Sequence, residues 1–527
     1  MATQNASKGA RRRRRERLAG VGLDALGPAA GPSDLKLTPR DFAARADRPA
    51  FAYLSDAKIE ALQDRAFKIL EEHGIAINHE EAVELLAKFG AKVDVDGKTV
   101  RFSRGLVEEA IDATPKSVTL YGKTPEYTIE LPREDGTFHT RTGTGAHAYI
   151  DHETGEYRKL VLDDVRTIAA VGDGLDQVGF IAHPFVNDVP ERTADIHALS
   201  VLLGESVKHS WIQPYDVENV EYLMKLAVVA AGGEDELRAK PLVNFIHCSF
   251  SPLEYKRMDI EVILQTARHG VPIHAASLPT GGGTAPVTPI ATTLMAVTEN
   301  LGSIVLAYAL SEGNPTPVIA IPLIFALEMR TGRSLHSSIE AIQGATMAAQ
   351  VMKRGFGIMT QTYGLGSDTP EVDAQSQVER ALLAFAVALS GADILGGVGQ
   401  LETATVFSPV QAVIDNDLAA MLRRYLATPQ VDDGSLNWDE MLNVPMGGHF
   451  LASEHTLENC RTQLPSYSFV SQARDTYEES GGREALGNAR DICRALVNRD
   501  RPQGLPDDDQ LREMAQIVAA ADRHLAD

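Results

Sequence analysis

The stretch PLVNFIHCSFSPLEYKRMDIEVILQTARHGVPIHAASLP (241–279) decides the fold of this 527-residue chain. It opens and closes with an apolar run that ends in turn residues, and the residues between the two runs have helical spacing. Short apolar runs bounded by turn signals are typical of strands that are buried on both faces of a parallel sheet. The stretch therefore predicts a strand, a helix and a second strand parallel to the first.

The same unit recurs on both sides of this stretch. Eight apolar runs alternate with helical segments: VGFIAHPFV (178–186), KHSWIQPY (208–215), PLVNFIHCSF (241–250), VPIHAASLP (271–279), TPVIAIPLIF (316–325), FGIMTQTYG (356–364), ADILGGVG (392–399) and VPMGGHFLA (444–452). Eight such units predict an α/β fold, a closed (β/α)8 barrel of the TIM type. In this fold the reactive surface lies at the carboxyl ends of the strands.

The runs divide the chain into four predicted parts. Residues 1–50 form a basic, disordered arm, 51–176 an N-terminal α+β region, 177–465 the barrel, and 466–527 a set of C-terminal helices. In the α+β region, KVDVDGKTVRFS (92–103) has an Asp-Gly turn between alternating runs and predicts a β-hairpin. FHTRTGTGAHAYIDHETGEYRKL (138–160) predicts further hairpins.

The composition excludes several classes of protein. The net charge is −22 and no long basic patch appears in the body of the chain, so nucleic-acid binding is not expected. The exception is the group of six arginines between Arg11 and Arg17, which predicts a solubilising arm or, alternatively, a tail that contacts nucleic acid or acidic partners. No apolar signal segment follows those arginines, which predicts a cytoplasmic protein. The longest apolar stretch, at 289–310, is interrupted by Glu299 and Asn300, and this favours a buried helix over a membrane span.

Aromatic residues recur at the predicted strand ends, although they make up only 6% of the chain. They are Phe185, Trp211, Tyr215, Phe250, Phe325, Tyr363 and Phe450. Aromatic faces with carboxylates nearby suit a quaternary ammonium cation, and the alternative is that these rings simply fill the top of the barrel. The histidines lack metal-ligand spacing, so no metal site is expected, and no catalytic residue is assigned.

Four stretches, taken in order, resemble the trimethylamine methyltransferase (MttB-like) family. They are GTGAHAYIDHETGEYRKLVLDDV (143–165), ALEMRTGRSLHSSIEA (326–341), YGLGSDTPEVDAQSQVE (363–379) and MGGHFLASEHTLENCR (446–461). Archaeal trimethylamine enzymes of the family carry pyrrolysine in the barrel. This chain contains only the ordinary twenty residues, so it is similar to the non-pyrrolysine branch.

The resemblance implies an activity and a partner. Members of the family move a methyl group from a methylamine or a quaternary amine, such as glycine betaine, to the cobalt of a separate corrinoid protein. No tightly bound cofactor is then expected, because the corrinoid (cobalamin) comes with the partner protein. A small methylated amine is the expected substrate, and a homo-oligomer is the expected assembly.

Nine candidate substrate-binding residues follow from the strand ends and from the resemblance. Phe185, Trp211, Tyr215 and Tyr363 are candidates for the aromatic cage of the cation. Glu328 and Asp368 are candidates for negative charge near the nitrogen, or for loop caps. Arg330, His247 and His449 are candidates for binding a betaine carboxylate, or for structural ion pairs and hydrogen bonds.

Three other functions stay open at the level of sequence. One is a quaternary-amine-binding barrel without catalytic activity, and another is a metal-dependent barrel lyase or hydrolase. The third is a methyltransferase with a methyl donor that is not an amine.

Overall fold

A small α+β region precedes the barrel. The computed structural model describes residues 51–95, 97–429, 431–460 and 466–525, so the predicted arm at 1–50 lies outside the described residues. The region contains α1 (Asp56–Lys68), β1 (Ile75–Ile77), α2 (Glu80–Lys88), β2 (Lys92–Val93), β3 (Thr99–Arg101), α3 (Arg104–Ala113), β4 (Val118–Leu120) and β5 (Ile129–Leu131). Strands β2 and β3 pair antiparallel, which confirms the hairpin predicted at 92–103.

The barrel and its decorations follow from residue 139. Their elements are β6 (His139–Thr142), β7 (Ala148–Ile150), β8 (Tyr157–Lys159), α4 (Leu162–Gly174), β9 (Val178–Ala182), α5 (Ala194–Glu205), β10 (His209–Ile212), α6 (Asn219–Ala231), α7 (Glu234–Ala239), β11 (Val243–Ser249), β12 (Glu254–Tyr255), α8 (Arg257–His269), β13 (Ile273–Ser277), β14 (Thr280–Gly281), α9 (Pro289–Leu310), β15 (Val318–Pro322), β16 (Phe325–Glu328), β17 (Arg333–Leu335), α10 (Ile339–Gln350), β18 (Gln361–Tyr363), α11 (Ala374–Ser390), β19 (Ile394–Val398), β20 (Gln400–Leu401), β21 (Val406–Phe407) and α12 (Pro409–Leu426).

Eight of these strands form one parallel sheet in the order β15-β13-β11-β10-β9-β6-β19-β18. A parallel bridge between Ala320 of β15 and Thr360, next to β18, joins the two ends. There the Ala320 amide donates to the Met359 carbonyl at 2.9 Å. The sheet is therefore a (β/α)8 barrel, as the alternation of apolar runs predicts.

The prediction of the eighth barrel strand was wrong. Residues 444–452 contain no strand, and Met446 is fully exposed. The missing strand is β6, which lies between β9 and β19 in the stretch predicted as hairpin material, so the barrel begins at residue 139 and not at 177. Its sequence, HTRT, escaped notice because His139 and Arg141 point into the barrel, where an apolar residue is the usual occupant. The hairpin prediction holds only for β7 and β8, which pair antiparallel.

After the barrel the chain forms two different parts. Residues 429–466 fall in a compact unit separate from the barrel unit, with short helices α13 (Asp433–Leu436), α14 (Trp438–Asn443) and α15 (Glu454–Asn459). Residues 467–525 belong to the barrel unit and contain α16 (Arg474–Glu479), α17 (Ala485–Val497) and α18 (Asp508–Leu525).

The long apolar helix α9 packs inside the protein. It is the one described helix with the length and composition of a membrane span, and 78% of its most apolar window is buried. The carboxylate of Glu299 in its middle accepts hydrogen bonds from the hydroxyls of Ser249 (3.1 Å), Ser251 (2.8 Å) and Ser277 (2.5 Å). The polar residue inside this apolar sequence therefore ties the helix to β11, β13 and the loop after β11.

Four histidines are buried in and around the barrel interior. Burial lowers the pKa of His139 and His209 to about 3 and that of His183 to about 4, and it lowers the pKa of His274 well below the usual value. Polar contacts hold the rings, such as His139 Nε2 to the Glu130 carbonyl at 2.9 Å. All four are therefore neutral in the folded protein at neutral pH.

These histidines predict a steep loss of stability in acid. In the unfolded chain each binds a proton below about pH 6.5, whereas the folded chain does not, so unfolding takes up protons as the pH falls from about 6.5 to 4.5. The four histidines together lower the free energy of unfolding by about 5 kcal/mol per pH unit at the acid end of this range. Burial raises the pKa of Asp195 to about 7 and that of Asp415 to about 6, so these two groups release protons on unfolding there and offset about half of the effect. The expected net slope is about 3 kcal/mol per pH unit. Urea denaturation between about pH 7 and 5 measures the slope.

A matched pair of variants isolates the effect. His209→Gln should reduce the slope by about 1.4 kcal/mol per pH unit, which is the share of one proton. His73→Gln, at an exposed position, should leave it unchanged. Equal slopes for the two variants would contradict the assignment of His209 as a buried neutral group.

Candidate functional site

The carboxyl ends of the barrel strands bring together a group of polar and aromatic side chains. Arg141 on β6 and Trp211 on β10 both point into the barrel, and the guanidinium carbon of Arg141 lies 4.0 Å from the centre of the Trp211 ring. His274 on β13 packs edge-on against the same indole, with ring centres 6.0 Å apart. These three residues form the floor of the candidate site.

Arg141 is a buried cation without an anionic partner. Its side chain is 1% exposed, and burial lowers its pKa to about 10, which still leaves it charged at neutral pH. Nη1 donates to the Thr142 carbonyl at 2.7 Å. With the Gln361 amide in the orientation that satisfies both of its ends, its oxygen accepts from Nε at 2.6 Å and Nη2 at 3.0 Å. No Asp or Glu in the described part of the chain forms an ion pair with it.

The acidic groups nearest to Arg141 do not supply the missing charge. Cys248 and Tyr363 both interact electrostatically with the guanidinium. Burial raises the pKa of the Cys248 thiol to about 12 and also raises the pKa of Tyr363, so both stay protonated at neutral pH. An unpaired charge in a protein interior is unfavourable, and this one is offset only by neutral hydrogen bonds and the indole face. The floor of the site therefore carries a net positive charge.

A glycine leaves room for this cation. A Cβ atom on Gly396 of β19 would lie 3.1 Å from Nη2 of Arg141, closer than ordinary packing allows. The glycine in ADILGGVG is thus explained by the guanidinium that fills the space above it.

Three aromatic rings form one wall of the site. The ring centres of Tyr363 and His336 lie 4.8 Å apart, and Phe325 lies 6.3 Å from Tyr363 and 6.4 Å from His336. Phe325 is partly exposed, whereas Tyr363 and His336 are buried. We call Phe325, His336 and Tyr363 the aromatic wall.

Asp368 fixes the imidazole in this wall. Oδ1 of Asp368 lies 3.0 Å from Nδ1 of His336, and the carboxylate also accepts from the backbone amides of His336 (3.0 Å) and Ser337 (2.8 Å). Burial acts to raise the pKa of Asp368, but the interactions with His336 and Ser337 outweigh it and lower the pKa. Asp368 therefore orients His336 and caps the backbone at His336 and Ser337. Of its two predicted roles, this arrangement corresponds to the loop cap.

A second aromatic pair lies at the ends of β9 and β10. The rings of Phe185 and Tyr215 are 5.1 Å apart and tilted by 38°, and His183 lies 5.8 Å from Tyr215. The buried Asp195 carboxylate accepts from the Tyr215 amide at 2.9 Å, and burial raises its pKa to about 7. The structure therefore brings two of the four predicted cage residues into contact with each other.

Trp211 differs from its predicted place in a cage. The side chain is 1% exposed, and the cation over its ring is the chain's own Arg141. Trp211 is therefore positioned to support the guanidinium. Of the other aromatic candidates, Phe185, Tyr215 and Phe325 are partly exposed, whereas Tyr363 is buried.

Three of the predicted carboxylate-binding or acidic residues do not reach the barrel interior. His247 packs against Tyr255 with its Nδ1 3.8 Å from Asp259, because neighbours on a strand face opposite sides and Cys248 takes the inner one. Glu328 and Arg330 pair with each other at 3.1 Å on the hairpin of β16 and β17, where Arg330 is 88% exposed.

His449 was predicted on an eighth barrel strand that does not exist. It lies in the 429–466 unit, on a stretch without regular secondary structure. Among the described residues no group of three or more His, Cys, Asp or Glu side chains is placed to hold a metal ion.

Sequence reasoning missed Arg141 and His336. Arg141 lies in HTRT, whose alternation is that of a strand, but no apolar run marks it. His336 lies in the quoted stretch ALEMRTGRSLHSSIEA, two residues before the N-cap Ser338 of α10. His336 directly follows the end of β17, and that position is the signal that could have identified it, whereas Arg141 lies inside an all-polar strand that gives no such signal.

Comparisons with known proteins agree with the family resemblance. The sequence model of the trimethylamine methyltransferase (MTTB) family matches residues 33–525. The trimethylamine methyltransferase MttB of Desulfitobacterium hafniense (strain DSM 10664 / DCB-2) is 30% identical over 466 residues, which cover 88% of this chain and 93% of that protein. The glycine betaine methyltransferase of Desulfitobacterium hafniense (strain Y51) is 27% identical and covers 82% of this chain and 88% of that protein.

Among solved structures, the monomethylamine methyltransferase MtmB of Methanosarcina barkeri covers 83% of this chain and 97% of its own, with 14% identity and a TM-score of 0.48. The strand order shows the barrel, and the family model matches nearly the whole chain. The chain belongs to the trimethylamine methyltransferase family.

Proposed function

We propose that this protein transfers a methyl group from a small betaine, a quaternary amine that carries a carboxylate, to a corrinoid on a separate protein. The observation that carries the proposal is the unpaired Arg141 guanidinium on the floor of the site. A substrate carboxylate would supply the missing negative charge, and charge-assisted hydrogen bonds to a planar guanidinium are strong and directional. The glycine betaine methyltransferase among the relatives supports this substrate class.

The aromatic side chains next to Arg141 suit the other end of such a substrate. Tyr363 interacts with the guanidinium and belongs to the aromatic wall, so a molecule whose carboxylate meets Arg141 has an aromatic face beside it. The faces of aromatic rings attract quaternary ammonium groups. The proposed site thus binds a zwitterion at both of its charges.

The proposed substrate needs neither a general acid nor a nucleophile from this chain. A quaternary nitrogen leaves as a neutral amine when it loses a methyl group, so no general acid has to protonate it. The reduced corrinoid of the partner would supply the nucleophile that accepts the methyl group. Cys248, the thiol at the mouth, has its pKa raised to about 12 and is not a thiolate at neutral pH. This chain's own residues would bind the substrate, orient its methyl group and exclude water, a contribution worth roughly 7–11 kcal/mol in well-oriented reactions.

The test is methyl transfer from a panel of donors. Purified protein is incubated with reduced cob(I)alamin and, separately, glycine betaine, tetramethylammonium, choline and trimethylamine, while methylcobalamin absorbance is followed. Turnover is expected with the betaine, because it alone pairs with Arg141. Calorimetric binding of the betaine without methylcobalamin formation would favour the non-catalytic binding protein, and no turnover across the panel would sink the proposal.

Arg141→Gln should distinguish binding of the substrate carboxylate from binding of its ammonium group. The variant removes the charge and should raise KM for glycine betaine about 100-fold, since a hydrogen-bonded charge contributes about 3 kcal/mol. Any turnover of tetramethylammonium, which has no carboxylate, should be unchanged. Arg166→Gln, at a surface position, is the control for the loss of an arginine. An equal rise in KM for both donors would show that Arg141 is structural.

Tyr363→Ala should have the complementary effect. Removal of the ring should raise KM about 10-fold for every quaternary donor, with or without a carboxylate, because a cation–π contact is worth about 1–2 kcal/mol. Tyr363→Phe keeps the ring and should stay within about threefold of the native KM. A Phe variant as impaired as the Ala variant would assign the effect to the hydroxyl and contradict the cage.

A further inference from the structure

The outer face of α11 is apolar from Ala381 to the end of the helix, and Val378 extends it by one turn. Val378, Leu382 and Phe385 recur at helical spacing and are exposed by 60%, 55% and 38%. The sequence from 381 to 392, ALLAFAVALSGA, contains no charged residue, although the whole chain has a net charge of −22. A helix that is apolar on its inner and outer faces is normally buried on both.

The neighbouring helix extends this face. Met421 and Tyr425 of α12 are exposed by 47% and 61%, and the rings of Phe385 and Tyr425 lie 4.9 Å apart. The two helices therefore present one continuous surface, which we call the flank patch: Val378, Leu382, Phe385, Met421 and Tyr425. Contiguous apolar patches of this kind are rare on the free surface of a monomer and mark interaction sites.

The segment 429–466, which follows α12 in the chain, also lacks a surface on which to bury its apolar side chains. None of its described apolar side chains is buried. Its exposed large apolar side chains are Val431, Leu436, Trp438, Met441, Leu442, Met446, Phe450, Leu451 and Leu457. Its helices have only four to six residues, far too few to be stable without a surface to pack on.

We propose that the flank patch is the interface with a second copy of this chain, and that each copy covers the patch of the other with its 429–466 segment. Such a reciprocal exchange buries the flank patch and the apolar side chains of the 429–466 segment at once, and it gives a closed dimer with twofold symmetry. The absence of charge from 381 to 392 favours a permanent partner, because permanent homodimer interfaces are more apolar than those of partners that come and go. The proposed corrinoid protein would bind at the strand ends, where the candidate site lies. The flank patch lies on the helices outside the barrel, so it is not the surface for that partner.

The mass of the full-length protein in solution is the first test. Light scattering behind size exclusion should give twice the 56.9 kDa of the chain, or an even multiple of it, at micromolar concentration. Leu382→Glu combined with Tyr425→Glu should give monomers with an unchanged near-ultraviolet circular dichroism spectrum. Tyr157→Glu, at a position as exposed as Tyr425, should leave the mass unchanged. A monomeric native protein, or a dimeric flank-patch variant, would overturn the proposal.

A mixing experiment identifies what covers the patch. Trp438→Glu combined with Leu442→Glu should also give monomers. Mixed with the flank-patch variant, it should form heterodimers, because one intact patch then meets one intact segment. Heterodimers, detected by capture of a tag on one variant, support the exchange. A segment variant that stays dimeric would mean that patch packs on patch and would overturn the exchange, and so would the absence of heterodimers from the mixture.

Discussion

The stacking of Arg141 on Trp211 is the interaction on which the rest of the site depends. It places a positive charge in the barrel interior, 4.0 Å above an indole ring, with no carboxylate of the described chain to pair it. Several features follow from it: Gly396 leaves space for the guanidinium, Gln361 accepts from it, and His274 stays neutral beside it. A protein keeps such a charge at a cost in stability, which is the pattern expected where function needs it.

The surroundings of this charge are built to hold shape. Asp368 anchors His336 through its ring and its backbone, and the imidazole in turn supports Tyr363. Glu299 ties α9 to β11, β13 and the loop after β11 through three serine hydroxyls. Both carboxylates accept hydrogen bonds from groups of the chain itself and so fix the positions of neighbouring elements.

The candidate residues show why the place of some side chains could be predicted from the sequence and that of others could not. Tyr363, Phe185 and Tyr215 lie at strand ends, as predicted, because the strand ends of a barrel converge on one face whatever the details of packing. Arg330 and Glu328 are as polar and as close to a strand end, yet they pair with each other on an exposed hairpin. His247 fails by one residue, because strand alternation turns it toward the helices while Cys248 faces inward.

The sequence by itself determined the barrel and the family, because strand runs and motifs are local patterns that can be read along the chain. Only the tertiary structure decided which strand closes the barrel and what lies at its centre. The polar segment HTRT forms the strand between β9 and β19, where it pairs with both, and residues 444–452 contain no strand. The contact of Arg141 with Trp211 is likewise visible only in the tertiary structure, because Trp211 lies 70 residues further along the chain and reaches Arg141 only in the folded barrel.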